Sequence, residues 1–234
     1  MPAIQTQWID LAPGYAGYLA LPPARRGPGL LMLQEIFGVN EHMRAVADQY
    51  ALDGFVVLAP DLFWRQAPRV ELGYAGDDMT RARSLMQAYT ADQAIGDIGV
   101  ATRTLRARSE VGAAKVGAIG YCMGGRMAWF AAATAGVDAA VPFYGGGIHM
   151  NLERAAAIRC PLQFHYAGHD DNISPAAVES VRQAVAPMGP ERAEIFVYEP
   201  AHHGFNCWAR GSYHAPSAAL AHGRALAFLA KHLY

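Results

Sequence analysis

Residues 117–126 read GAIGYCMGGR, and the reading of this stretch decides the fold. The run Lys115-Val116-Gly117-Ala118-Ile119 has the length and apolarity of a buried strand, and Arg126-Met127-Ala128-Trp129-Phe130 opens a helix-like stretch. Between them, Gly120 and Gly124 stand two residues either side of Cys122. That is the spacing of a nucleophile elbow, a sharp strand-to-helix turn that thrusts one side chain above the sheet. Lacking Cβ atoms, the glycines let strand and helix approach closely, and Gly125 extends the approach. Cysteine here takes the place where serine is commoner. Partial positive charge at a helix N-terminus favours the thiolate, and the Met123 N–H would point at a developing oxyanion. The competing reading is a packing corner around a small buried thiol, since free cysteine is among the most buried residue types. Spacing and strand–helix context together favour the elbow.

Working outward, strands are predicted at Tyr18–Leu21, Gly29–Leu33, Phe55–Ala59, Lys115–Ile119, Ala139–Phe143, Leu162–Tyr166 and Glu194–Tyr198. Helices are predicted at Glu41–Asp53, Met79–Tyr89, Asp92–Arg108, Arg126–Ala135, Pro175–Ala186 and Pro216–His232. Continuous rather than alternating apolarity in several strands implies cover on both faces. The pattern predicts an α/β fold, a mostly parallel sheet flanked by helices on both faces. No repeat, low-complexity segment or long linker divides the chain, so one domain is expected over 1–234. Pro22-Pro23-Ala24-Arg25-Arg26-Gly27-Pro28 reads as a turn between two early strands.

The hydrophobic fraction of 53% against 17% charged residues permits a large core and argues against disorder. A net charge of −1 without a basic run argues against a nucleic-acid partner. No uninterrupted apolar stretch reaches the roughly 18 residues of a membrane span, and the N-terminus lacks a signal-peptide layout. Cys122, Cys160 and Cys207 form neither a disulfide framework nor a zinc spacing. A soluble cytoplasmic protein, monomeric or a small homo-oligomer, is expected.

An elbow nucleophile needs an acid and then a histidine further along the chain. After the strand Leu162–Tyr166 comes Ala167-Gly168-His169-Asp170-Asp171, a loop on the face where such sites assemble. Either Asp170 or Asp171 can orient an imidazole, and either can equally serve as a turn or cap residue before Pro175. After Glu194–Tyr198 comes Ala201-His202-His203-Gly204-Phe205, which offers two adjacent histidines for the base. His42, His149, His214, His222 and His232 have no catalytic spacing, and His165 falls inside a strand. A metal centre built from His165, His169, Asp170, His202 and His203 lacks any paired spacing on one element, and none is expected.

With these residues in place, the chain resembles the dienelactone hydrolase family of the α/β-hydrolase fold. The likeness is carried by Gln34-Glu35-Ile36-Phe37-Gly38-Val39-Asn40, by Gly120-Tyr121-Cys122-Met123-Gly124-Gly125 and by Ala201-His202-His203-Gly204-Phe205. Ala59-Pro60-Asp61-Leu62-Phe63 and Gly96-Asp97-Ile98 add to it. The resemblance implies Cys122 as nucleophile, Asp170 as orienting acid, His203 as base, and Glu35 as a carboxylate that controls the cysteine's ionisation. It also implies an oxyanion hole from the Ile36 and Met123 N–H groups, and no cofactor. The implied substrate is a small ester or lactone, cleaved through a thioester acyl-enzyme. The family holds a substrate carboxylate with arginines, one a few residues after the catalytic histidine, but here Cys207 stands at that position. The other expected arginine falls at Met79, with Arg81 and Arg83 near. Phe37, Arg81 and Phe205 are the expected pocket residues.

Overall fold

In a computed structural model, which describes residues 3–234, apolar runs and helical stretches alternate along the chain. In order they form β1 (Gln5–Ala12), β2 (Tyr15–Leu21), β3 (Gly29–Leu33), α1 (Glu41–Leu52), β4 (Val56–Pro60), α2 (Gly76–Ala88), α3 (Ala91–Arg106) and β5 (Val116–Tyr121). There follow α4 (Met123–Thr134), β6 (Ala139–Phe143), β7 (Leu162–His169), α5 (Pro175–Val185), β8 (Ala193–His202) and α6 (Ala215–Leu233).

All eight strands lie in one sheet, ordered β1-β2-β4-β3-β5-β6-β7-β8. β1 and β4 each pair antiparallel with β2, and every later pairing is parallel. β3, β4, β5 and β6 are buried along their whole length, as continuous apolar runs covered on both sides must be. Because successive strand residues face opposite ways, β5 shows which helices cover which face. Gly117 packs against Leu229 and Leu233 of α6, whereas Gly120 lies under the first turn of α4. α3 packs beside α4, and Tyr50 of α1 meets His222 of α6. One face is therefore roofed by α3 and α4, the other by α1 and α6.

Local chemistry sets the helix boundaries. Asn40 caps α1 by accepting from the Met43 N–H at 3.1 Å, and Thr90 and Gln93 form a capping box on α3. Ser174 caps α5 ahead of Pro175. Several elements depart from the sequence prediction; β2 starts three residues earlier, and β7 and β8 run on to His169 and His202. β1 is unpredicted because Gln5-Thr6-Gln7 is polar and half its residues are exposed at the sheet edge. α4 starts at Met123 rather than Arg126, since its glycines are poor helix formers held there by close packing. α2 starts at Gly76 rather than Met79, with Asp77 and Asp78 in its first turn complementing the helix dipole. Among the described residues no helix is long and apolar enough to cross a membrane.

Candidate active site

The C-terminal ends of the parallel strands converge above the sheet, where open α/β folds gather their ligands. Glu35 follows β3, Cys122 follows β5, Tyr144 follows β6, Asp170 follows β7 and His203 follows β8. Cys122 has φ 57° and ψ −116°, a left-handed backbone that costs a non-glycine residue on the order of 1–3 kcal/mol. The surroundings dictate that conformation. A Cβ on Gly120 would collide with the Gly124 carbonyl, and one on Gly124 with the Leu33 carbonyl. The Cys122 N–H donates to the Phe143 carbonyl at 3.1 Å, tying the turn to β6. The elbow is held by packing from both sides.

His203 Nδ1 lies 2.8 Å from Asp170 Oδ2, with side chains only 12% and 1% exposed. The other carboxylate oxygen, Oδ1, accepts from the Asn172 and Ile173 N–H groups at 2.8 and 3.2 Å. Asp170 therefore makes both contacts that the sequence left open, closing a turn with one oxygen and bonding an imidazole with the other. Asp171 and His202 are exposed. Burial alone would lower the His203 pKa, but the Cys122 sulfur and the Asp170 carboxylate outweigh it and raise it from 6.5 to about 10. With Nδ1 committed to Asp170, Nε2 is left for the sulfur. Tyr144, itself at φ 35°, packs edge-on against the imidazole with ring centroids 5.1 Å apart.

Glu35 is 1% exposed and receives a hydrogen bond from Arg210 Nη1 at 3.2 Å. Its other oxygen, Oε2, is buried without a hydrogen-bond partner. Burial raises the Glu35 pKa, while Arg210, His203 and the Cys207 thiol pull it down. Cys207 is buried, and burial together with the nearby Glu35 charge pushes its thiol up to about 12. Where the resemblance expects an arginine there is thus a buried thiol, and a guanidinium three residues on, Arg210, reaches the site instead. The cap on α1 is Asn40, so Glu35 has no part in it.

A cavity of about 710 Å³ opens above Cys122. Ile36, Phe37, Met123 and His203 line it, in the neighbourhood that the sequence predicts for them. Two expected pocket residues are elsewhere. Arg81 is an exposed charge on α2 outside the cavity wall, and Arg83, two residues along, lines it instead. Phe205 is fully buried, packed against Tyr144 and Tyr198, and belongs to the core. Sequence reasoning missed Arg126, Asn172 and Arg210, all of which line the cavity. For Arg126 a signal existed, because it stands one helical turn beyond the nucleophile position. Asp97, noted for the resemblance, is structural: it accepts from Arg65 at 2.5 Å and from the Tyr89 hydroxyl at 3.1 Å. Asp61 likewise accepts the Phe63 and Arg69 N–H groups. Among the described residues, no group of three or more His, Cys, Asp and Glu side chains is gathered as a metal would require.

A mostly parallel, doubly covered sheet with a strained cysteine at the end of a central strand and a carboxylate-bound histidine beside it defines an α/β-hydrolase. The chain matches the profile of the dienelactone hydrolase family over residues 15–233. It is 34% identical to the carboxymethylenebutenolidase of Pseudomonas putida over 218 residues, which cover 92% of this chain and 90% of that one. A solved structure from Klebsiella pneumoniae, provisionally assigned as a dienelactone hydrolase, superposes with a TM-score of 0.84 at 30% identity, covering 97% and 99% of the two chains. A dienelactone hydrolase-like promiscuous phosphotriesterase from metagenomic libraries, at 22% identity, shares the fold with a TM-score of 0.85 over 99% and 100% of the two chains. The chain belongs to the dienelactone hydrolase family, and with it to the carboxylic ester hydrolases.

Proposed function

We propose that this protein hydrolyses a small carboxylic ester or lactone through a thioester formed on Cys122, with His203 as acid and base and Asp170 orienting it. The observation that carries the reading is the meeting, in one cavity, of a cysteine held in a left-handed elbow and an imidazole bonded at 2.8 Å to a buried carboxylate. An unassisted thiol has a pKa of about 8.5, so a positive field must favour the thiolate at neutral pH. His203, bonded through Nδ1 to Asp170 at 2.8 Å, takes the thiol proton and as an imidazolium supplies that field.

In the forward step the Cys122 thiolate adds to the substrate carbonyl, forming the S–C bond while the carbonyl π pair moves to oxygen. The Ile36 and Met123 N–H groups face that oxyanion. A donor of this kind contributes about 10²–10³ in rate, and both groups are backbone, so their effect survives side-chain substitution. Collapse breaks the C–O bond, and His203 Nε2 gives its proton to the departing alkoxide. Water then adds to the thioester as His203 takes a proton from it, and loss of the thiolate releases the acid. Glu35, buried and offset by Arg210, sets the charge balance that the thiolate experiences.

The test is turnover of dienelactone, a simple unsaturated lactone and neutral activated aryl esters by wild type and Cys122→Ala in parallel. Hydrolysis that disappears with the thiol is the expected result. Hydrolysis that survives the substitution, or no turnover of any member by wild type, contradicts the reading.

A further inference from the structure

We infer that Met79 and Met86 of α2 are specificity-determining residues, which with Met150 form a pliable clamp for a hydrocarbon chain carried by the ester. The inference rests on the ester-hydrolase reading above and adds the chemical class of the substrate.

Met79, Met86, Met123 and Met150 all line the cavity above Cys122. They enter from three places: Met123 from the elbow, Met79 and Met86 from α2, and Met150 from the short turn after β6. Met79 and Met86 stand seven residues apart, two helical turns, so both thioethers fall on one face of α2 with the buried Ala82 between them. Both are half-buried against the hydrophobic core. Met150 is 67% exposed, and its terminal methyl folds over Gly147, where an added Cβ would come within 3.2 Å of it. Such a side chain gains by being covered, at about 25 cal/mol per Å² of apolar area removed from water. Arg83, which α2 also turns to the cavity, is exposed, and water screens its charge.

The helix that carries two of these methionines is lightly anchored. It buries Ala82 and leaves its other side chains half-buried or exposed, and Ala75 at its N-cap has no side-chain bond to give. Gly76 opens it at φ +59°, with open space where a Cβ would stand. A helix held in this way shifts at small cost, because few buried apolar contacts have to be broken. The thioethers adjust as well, since an unbranched side chain with a polarisable sulfur repacks around groups of different shape. A wall of leucine or phenylalanine would select one shape, whereas methionine selects polarity alone. The occupant is therefore an uncharged hydrocarbon group. Continuity of this wall with Cys122 in one cavity assigns that group to the ester itself.

The experiment compares 4-nitrophenyl hexanoate with 4-nitrophenyl acetate for the acyl side, and hexyl acetate with methyl acetate for the alcohol side. Wild type is expected to favour the longer member of one pair by about 10-fold or more in kcat/KM, since each buried methylene contributes up to about fourfold. The pair that shows the preference identifies the side of the ester that the clamp holds. In Met79→Gln/Met86→Gln that ratio falls about 5- to 20-fold, because glutamine keeps the size and loses the apolar surface. Met79→Leu/Met86→Leu keeps it within about threefold. Met150→Gln, at an exposed position where the fold is not at stake, lowers it about two- to fivefold. A wild type that cleaves the esters without favouring the longer member of either pair overturns the inference, as does an unchanged ratio in the glutamine double variant. So does an equal fall for both members of a pair, which would mean that the methionines serve the fold alone. The ester-hydrolase reading fails separately, if wild type cleaves none of the four esters. Binding of hexyl 4-nitrophenyl ether, which has no carbonyl to attack, then decides by calorimetry. Weakening by about fivefold or more in the glutamine double variant supports the clamp, and equal binding or no binding to wild type overturns it.

Discussion

His203 and His165 are both buried imidazoles bonded through Nδ1 at 2.8 Å, yet they sit in opposite electrostatic worlds. His165, 0% exposed within β7, bonds Tyr198 and Gln163 and stacks on Phe143 with centroids 4.3 Å apart. Its partners are neutral, so burial dominates, with Arg224 adding to it, and its pKa falls to about 3. His203 faces a sulfur and a carboxylate, and its pKa rises to about 10. Burial is common to both. The charge of the partners decides which imidazole holds a proton at neutral pH and which is inert packing.

The largest break in this comparison comes from removing the sulfur. Cys122→Ala is expected to lower ester turnover by about 10⁴-fold or more while the fold persists, since alanine leaves the packed elbow intact. The same variant removes one of the two influences that raise His203, so the imidazole titrates at lower pH by NMR than in wild type, whereas His165 does not move. Next comes Asp170→Asn, with an expected loss of about 10²–10⁴ in kcat. Asparagine can keep the turn to Asn172 and Ile173 with its carbonyl while presenting an amide N–H₂ to His203, which inverts the required tautomer. A crystal structure of the variant together with its kcat checks both halves.

The two imidazoles also place opposite limits on stability with pH. His203 binds its proton more tightly folded than unfolded, so its contribution is complete below about pH 6.5 and is lost as pH rises through about 10. His165 binds its proton less tightly folded, so its contribution is complete above about pH 6.5 and is lost as pH falls toward about 3. Denaturant midpoints across pH should show the alkaline loss diminished in His203→Gln and the acid loss diminished in His165→Phe. At neutral pH, His165→Phe leaves Gln163 and Tyr198 short of a partner and should cost roughly 1–3 kcal/mol by denaturant titration, with turnover retained. The smallest effect is expected for Cys160→Ala, which is remote from the cavity and should leave activity intact.

How much of this was legible in sequence follows from range. The elbow is local: its glycines, thiol and flanking strand lie within a few residues, and the steric need for Gly120 and Gly124 is written in their spacing. The continuous apolar strands and the capped helices were legible for the same reason. The half-exposed β1 was not, since its order comes from pairing with β2 rather than from its own pattern. The choice between Asp170 and Asp171 could not be made on local chemistry, because a turn and a triad use the same residue type. Arg210 and Glu35 meet across 175 positions, and no periodicity marks such a pair. Arg81 and Arg83 differ only in which side of α2 they occupy, and a helix face is settled by what packs against it.

The most direct test of the central claim is acid-quench mass spectrometry of the protein mixed with a 4-nitrophenyl ester. The account predicts a transient acyl adduct on the peptide containing Cys122, formed at the rate of the nitrophenolate burst and missing from Cys122→Ala. Ester turnover without an adduct on Cys122, or an adduct that persists on another residue in Cys122→Ala, would contradict it.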